Sequence, residues 1–569
     1  MKRCPECGRN YNDDSMSFCL DDGAELLFGP ASIDEPVTAI LHETNPPSEA
    51  VTRAQIHTTG QTAVLPTGTG EIVPKPRGLD KRLFAIPLLL AIIILGGFFG
   101  YRYFASSRSK QIESIAVMPF VNDSGNPDTE FLSDGMTETL INSLSQIPNL
   151  IVKARSSVFR YKGKEIDPKK VASELGVQAI LTGRVVQRGD QLTLSVELID
   201  AQTENVIWGN KYDKKGSDLV SLQSEVARDV SGKLKSKLSG ADAAKVEKSF
   251  TANPEAYQLY LKGIFYWNKR TAESVKRSID FFNQAIEKDP AYALAYAGIA
   301  EAYVLLPQSY ACTSQDCYPK ATAAAKRALE LDSSIAEAHT ALGSVFEHDL
   351  KFSEAEQEYK QAIQMNPNHA TAHQWYANLL VQLKRYDEAA AEGKRAQELD
   401  PLSLIILVTL SSDYFFQGNY DEALKYAKAA VDMDPNFPWG HLGEGNVYEM
   451  KGNYADALTE YKRLIELNDD PNYLANLAHL YAVSGKRDEA LKTLEQMKQV
   501  ASGGRYISPY SYAVVYAGLG DKDKAIEQLE RSFQDHDSDF SSVAVDPYFK
   551  DLHSDPRFVD LLHRAGFPQ

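Results

Sequence analysis

Between Ala355 and Ala457 the chain repeats itself every 34 residues. Ala355, Ala389, Ala423 and Ala457 share one phase, and Pro367, Pro401 and Pro435 share another. A small residue at a fixed phase lets two helices cross closely, and a proline at a fixed phase closes each unit because it cannot continue a helix. This period fits a helix–turn–helix unit that cannot bury its apolar face alone and must stack on neighbours. The carboxy-terminal half is therefore expected to be a helical solenoid with a concave face, and nothing in it reads as catalytic.

Composition bounds the rest. A chain of 569 residues with 43% apolar and 24% charged content should hold several folded domains. Its formal net charge of −17 argues against sequence-independent nucleic-acid binding, which needs a basic face. Five cysteines are too few for a disulfide scaffold, and they fall into two groups: Cys4, Cys7 and Cys19, then Cys312 with Cys317.

Cys4-Pro-Glu-Cys7-Gly8 sets two thiolates on one tight turn, and Cys19-Leu-Asp-Asp22-Gly23 repeats the frame with a carboxylate last. Zinc accepts sulfur, nitrogen or oxygen in a tetrahedron. Cys4, Cys7, Cys19 and Asp22 form the expected set, with Asp21 as the rival oxygen ligand. Residues 1–28 resemble the short zinc ribbons that open many bacterial membrane proteins, and depart from their four-cysteine pattern at Asp22. So small a segment would need structural zinc to fold.

Residues 29–80, rich in Pro, Thr, Gly and Ala, read as a flexible linker. Leu83–Tyr101 is then uncharged, and at 1.5 Å per residue it nearly matches a ~30 Å hydrocarbon slab. One transmembrane helix is expected over 83–104. Lys75, Arg77, Lys81 and Arg82 precede the span, and Arg102, Arg108 and Lys110 follow it, a weak positive-inside asymmetry. With the thiolates, which need a reducing compartment, this places the amino terminus in the cytoplasm of a bacterial inner membrane and the rest outside. Cys312 and Cys317 would then form a small disulfide loop; two free surface thiols are the alternative.

Residues 111–215 alternate as β-α-β-α-β-β-β, which implies a mixed sheet with helices on one face. Ile115-Ala-Val-Met-Pro-Phe120, Phe131-Leu-Ser-Asp-Gly-Met-Thr-Glu138, Ala154-Arg-Ser-Ser157 and Leu175-Gly-Val-Gln-Ala-Ile-Leu-Thr-Gly183 carry a resemblance. So do Tyr161-Lys-Gly-Lys164, Leu198-Ile-Asp-Ala201 and Ile207-Trp208. They resemble the TolB amino-terminal-like (FlgO-related) domain, which precedes tetratricopeptide arrays in bacterial membrane proteins. That family's enzymatic activities lie in a variable cytoplasmic front end, whose place a zinc ribbon takes here, so the resemblance implies no enzyme. Asp134-Gly135 reads as a helix-start acid beside a tight-packing glycine. Residues 216–250 carry an amphipathic helix that joins this domain to the repeats.

Residues 253–569 read as about eight tetratricopeptide units with a carboxy-terminal cap that includes Tyr548. Phase places Gln374, Asn378, Ser412, Phe415, Phe416, Trp439, Asn446 and His479 on the inner face of the first helices. Amides there can hold a peptide backbone and aromatics can take apolar anchors; the plainer alternative is that several only pack against neighbouring repeats. His369 and His373 are four apart, but no third ligand is near and the pattern is not that of a metalloprotease, so no metal is expected there.

The sequence thus describes a multidomain, non-enzymatic membrane scaffold: small zinc ribbon, one transmembrane helix, α/β mixed-sheet domain and all-α solenoid. Its expected partners are proteins or peptides in the groove and the membrane, with no nucleic acid or small-molecule substrate. The rival readings are a zinc-ribbon regulator of nucleic acid and an enzyme with an unrecognised site in the mixed-sheet domain.

Overall fold

The computed structural model describes residues 2–3, 10–11, 27–28, 112–234, 239–307 and 312–568. The expected zinc ligands Cys4, Cys7, Cys19 and Asp22, their rival Asp21, and the apolar stretch Leu83–Tyr101 lie outside the described residues. Among the described residues no helix is long and apolar enough to cross a membrane, and no cluster of three His, Cys, Asp or Glu is set to hold a metal.

Two units separate by contact, Met1–Gly100 and Tyr101–Gln569. Within the first, three short strands, β1 (Lys2–Arg3), β2 (Asn10–Tyr11) and β3 (Leu27–Phe28), form an antiparallel sheet with β1 central.

The second unit begins with a mixed sheet. Its elements are β4 (Ser114–Val117), β5 (Val121–Asn122), α1 (Glu130–Ser145), β6 (Ile151–Val152), α2 (Arg155–Phe159) and α3 (Pro168–Leu175). Then come β7 (Ala179–Arg188), β8 (Gln191–Asp200) and β9 (Val206–Lys215). Spatial order is β6-β4-β7-β8-β9, with β4 parallel to both neighbours and β7, β8 and β9 an antiparallel meander; β5 pairs with β7 beyond the end of β4. Ile115 to Met118 are fully buried, as a central parallel strand requires. Gly189, at φ +61°, supplies the left-handed residue of the tight β7–β8 hairpin. Gly183 is small for another reason, since a Cβ there would meet the Phe120 ring at 2.5 Å.

Helix α4 (Leu219–Leu234) buries Leu219, Leu222, Val226 and Val230, and ties back to β9 through Tyr212 Oη on Asp229 (2.9 Å) and Lys214 on Glu225 (2.8 Å). The short α5 (Gly240–Val246) follows.

Among the described residues, eight antiparallel helix pairs complete the unit. They are α6 (Pro254–Trp267) with α7 (Ala272–Lys288), α8 (Ala293–Leu305) with α9 (Ser314–Leu331), and α10 (Ala336–His348) with α11 (Phe352–Met365). Next come α12 (Ala370–Gln382) with α13 (Tyr386–Leu399), α14 (Leu404–Phe416) with α15 (Tyr420–Met433), and α16 (Pro438–Met450) with α17 (Tyr454–Leu467). The last are α18 (Leu474–Val483) with α19 (Arg487–Ser502) and α20 (Pro509–Gly518) with α21 (Lys522–Gln534). A tail of two 3₁₀ turns, Ser538–Ser542 and Pro547–Leu552, leads to α22 (Pro556–Arg564).

The periodic positions do what their chemistry suggests. Ala355, Ala389, Ala423, Ala457, Ala490 and Ala525 are all fully buried where paired helices cross. Opposite them, an aromatic ring of one second helix lies on a glycine of its first helix. A Cβ at Gly343 would meet Tyr359 at 2.6 Å, and one at Gly445 would meet Tyr461 at 2.5 Å. A second ladder runs along the array. His339, His373 and His441 each bond a glutamate 19 residues on: Glu358 (2.6 Å), Glu392 (2.5 Å) and Glu460 (2.7 Å). The other ring nitrogens of His373 and His441 face the carbonyls of Pro367 (3.1 Å) and Pro435 (3.0 Å). His369 caps α12 by accepting from Ala372 N at 3.2 Å. His369 and His373 thus serve helix geometry.

Cys312 and Cys317 form a disulfide with Cα atoms 6.1 Å apart, tying the segment before α9 to its first turn.

The mixed sheet docks directly on the repeats. Ala154 N donates to Leu399 O (2.9 Å), Lys153 Nζ to Glu398 O (2.5 Å) and Leu402 N to Ser157 Oγ (2.8 Å). Ser157 Oγ donates to Asp400 (2.5 Å), and Ser156 donates to the other oxygen of the same carboxylate. One repeat earlier, Asn368 Nδ2 donates to Ser145 O (2.9 Å) and Leu150 O (2.8 Å). Asp400 and Asn366 also end α13 and α11, one position before each periodic proline. Removing the Asp400 carboxylate leaves the fully buried Ser157 hydroxyl without its acceptor. Asp400→Ala is expected to lower stability by about 2–3 kcal/mol, read as a shifted urea midpoint. Asp434→Ala, at the same phase one repeat on, should cost less than half as much.

Candidate protein-binding groove

The inner faces of the first helices are largely covered by the chain itself. At the amino-terminal repeats, α1 lies against α6. Asn268 Nδ2 donates to Glu138 (2.8 Å), Arg155 pairs with Glu138 (3.0 Å), and Thr139 Oγ1 bonds Tyr257 Oη (3.1 Å). Burial pushes the Glu138 carboxyl up to about 7 against the opposing pull of Arg155. Burial, then repulsion from Glu337, pushes Glu301 to about 8. In the same wall, Asp134 is held by Lys162 at 2.6 Å and 2.7 Å, and a Cβ on Gly135 would strike Leu261 at 2.8 Å. That pair therefore packs the domain against α6.

At the carboxy-terminal repeats, the tail fills the same face. Tyr548 Oη donates to Asn446 Oδ1 (3.1 Å), and its ring lies 4.4 Å from His479 and 6.2 Å from Phe415. Tyr461 Oη donates to Glu449 (2.7 Å), whose other oxygen bonds His479 Nδ1. Asp546 accepts from Tyr510 Oη (2.5 Å), and burial lifts its carboxyl to about 6. Farther along, Phe567 meets Phe352 at 5.1 Å, so the tail spans from the last pairs back to α11.

The expected inner-face residues therefore divide. Asn446, His479 and Phe415 contact the tail, and Gln374 Nε2 donates to Thr409 Oγ1 (2.9 Å) in the next first helix. Asn378, Ser412 and Phe416 are half-buried. Trp439 alone of the eight is well exposed, at 42%. Its Nε1 donates to Tyr473 Oη (2.9 Å), which stands 34 residues on, one repeat later.

Between tail and helices sits a buried acid, Glu347, which accepts from Tyr359 Oη and Gln382 Nε2, both at 2.7 Å. Burial raises its carboxyl to about 7 despite those two donors. Asp413, also buried and with Oδ2 unpartnered, is driven well up by burial and then by Glu347.

A raised carboxyl takes a proton more readily in the folded than in the unfolded chain. Stability should therefore fall as pH rises from about 4.5 to about 7, the interval in which only the unfolded chain releases it. Glu347→Gln is expected to stabilise the protein by roughly 1–3 kcal/mol at pH 8, with little effect at pH 4.5, read by urea unfolding at both. Tyr548→Ala should raise amide exchange over residues 538–552 about tenfold, or about 1.4 kcal/mol of local opening. Tyr548→Phe should raise it less.

Comparisons with known proteins separate the mixed-sheet segment from the repeats. Residues 110–228 match a family model described as HilA/YgeH-like transcriptional regulator, second domain. Residues 349–403 and 415–480 match two tetratricopeptide-repeat models. A putative adenylate cyclase 3 of Rhizobium meliloti (strain 1021) is 32% identical over 247 residues, 43% of this chain; the chain spans 42% of that relative's length. Among solved structures, Pseudomonas aeruginosa PilF is 24% identical over 37% of this chain and 94% of its own, with a TM-score of 0.29. A tetratricopeptide-repeat protein from Parabacteroides merdae ATCC 43184 is 16% identical over 47% of this chain and 99% of its own, with a TM-score of 0.35. The solenoid of this chain is an array of tetratricopeptide repeats that follows a mixed-sheet domain.

Proposed function

We propose that the protein is a membrane-anchored scaffold that binds other proteins through its repeats. The observation that carries this reading is the array itself: eight stacked helix pairs present a long, regular surface. Leu83–Tyr101 supplies the anchor, and Cys4, Cys7, Cys19 and Asp22 hold a structural zinc in a cytoplasmic ribbon. The mixed-sheet domain takes the place that a TolB amino-terminal-like domain holds ahead of such arrays, and stands with the repeats beyond the bilayer. The ribbon relays partner occupancy inward.

A second reading draws on the regulator named by the matching family model, and would have the chain act on nucleic acid. The net charge of −17 opposes it. The cyclase reading draws on a relative matched over 42% of its length.

Protease added to intact spheroplasts should degrade residues beyond the span, and purified protein should carry one zinc per chain, lost in Cys4→Ser. A photo-crosslinking residue in place of Asn378 should trap a protein partner in membranes. Protection of the carboxy-terminal portion defeats the placement; a crosslink yield no higher than that of the protein lacking the photoreactive residue defeats the scaffold.

A further inference from the structure

A cavity of about 130 Å³ lies where the mixed-sheet domain meets the first repeats. Helix α1 supplies Thr139, Asn142 and Gln146 to its wall, and the start of α4 supplies Val220 and Gln223. On the other side stand Tyr257 and Tyr260 of α6, Tyr292 just before α8, and Glu337 of α10. A space of roughly 150 Å³ admits benzene, so this one takes a ligand of about six to nine non-hydrogen atoms.

Three groups in this wall lack partners. Tyr257 Oη is satisfied, since it bonds Gln223 and Thr139 (3.1 Å). Tyr260 and Tyr292, with rings 5.1 Å apart, are only 5% and 1% exposed. Yet among the described residues neither of their hydroxyls makes a hydrogen bond. Buried hydroxyls are ordinarily paired, so the open volume that these two border is where their partner sits. Glu337 is half-buried and, among the described residues, has neither a hydrogen bond nor an ion pair.

The wall also offers positive charge. Helix α8 starts at Tyr292 without a side-chain cap, whereas Asn253 caps α6. The first-turn amides of α8 and the positive end of its dipole therefore remain for a ligand. Lys248 is held by Asp332 (2.5 Å) and Ser334 (3.0 Å). Lys245, which lines the same cavity, is exposed and has no acid paired to it among the described residues. An unmatched acid and an unmatched base around one small space fit a molecule that carries both charges. Val220, Phe250, Leu294 and Met365 give that molecule an apolar side to lie on.

We propose that this cavity binds a free α-amino acid with a small apolar side chain, valine in size. The ammonium pairs with Glu337. The carboxylate accepts from Lys245, from the Tyr260 and Tyr292 hydroxyls and from the start of α8. The side chain lies on Phe250, Leu294 and Met365. The cavity is separate from the open groove face, so its ligand does not depend on the scaffold reading.

The test is titration calorimetry of the full chain in nanodiscs with L-valine, isobutylamine and isovalerate. The last two are valine without its carboxylate and without its amine. Valine should bind, and each analogue should bind about tenfold more weakly, because each leaves one charged group of the wall unmatched. Glu337→Gln should weaken valine about fivefold and narrow its advantage over isovalerate. Lys245→Met should weaken valine and narrow its advantage over isobutylamine. Tyr260→Phe, which keeps the ring, should weaken valine about threefold. Unchanged helical circular dichroism and melting will show which variants fold; Lys245→Met, at an exposed position, keeps the test open if a buried change does not. No heat from valine means that the cavity holds water only and overturns the proposal. So does an analogue that binds as tightly as valine, or valine binding unaltered in the folded variants.

Discussion

The whole array depends on how closely the two helices of a pair can approach. Tyr359 over Gly343 and Tyr461 over Gly445 leave no room for even a methyl group. The same contact is made by Phe282, which lies against both Gly263 and Gly298. Because the ring sits on bare backbone, its polar tip lands at a fixed place: the Tyr359 hydroxyl reaches Glu347 and the Tyr461 hydroxyl reaches Glu449. Those acids then receive Gln382 and His479 from the next repeats. A packing constraint within one pair thereby sets the hydrogen bonding between pairs.

The outer edge obeys a parallel logic. Four units end on an Asn or Asp before proline, at Asp289, Asn366, Asp400 and Asp434, which stops the helix and leaves a polar side chain at the turn. At Asn366 and Asp400 that side chain turns outward to the mixed sheet, while Asp434 caps the Asn436 amide locally. The sheet thus reads two successive members of a periodic series, and α2 exists to present Ser156 and Ser157 to one of them.

Much of this was legible from one strand of residues. The 34-residue spacing of Ala355 to Ala457 placed the helix pairs, and alternation placed β7, β8 and β9, because both signals come from neighbours a few residues apart. The inner-face positions of Asn446, His479 and Phe415 were also legible. That Tyr548 would lie on them was not, since the contact spans 102 residues from Asn446 and depends on how far successive repeats rotate. Likewise, Ser157 reads as one more polar residue in a short motif until Asp400 is brought to it from 243 positions away. Helix α2 and strand β5 were missed because five and two residues carry too little periodicity to read.

The tail and the sheet together have a consequence for copy number. Solenoids ordinarily grow or shrink by whole units at little cost, because each unit touches only its neighbours. Here Ser157 must find Asp400, Tyr548 must find Asn446, and Phe567 must find Phe352. A unit duplicated or deleted between α6 and α13 would carry the first hook past its eye. One gained or lost between α11 and α21 would leave the tail too short or too long. The chain has given up the modularity of its class, and its number of repeats is as fixed as the strand count of a closed barrel.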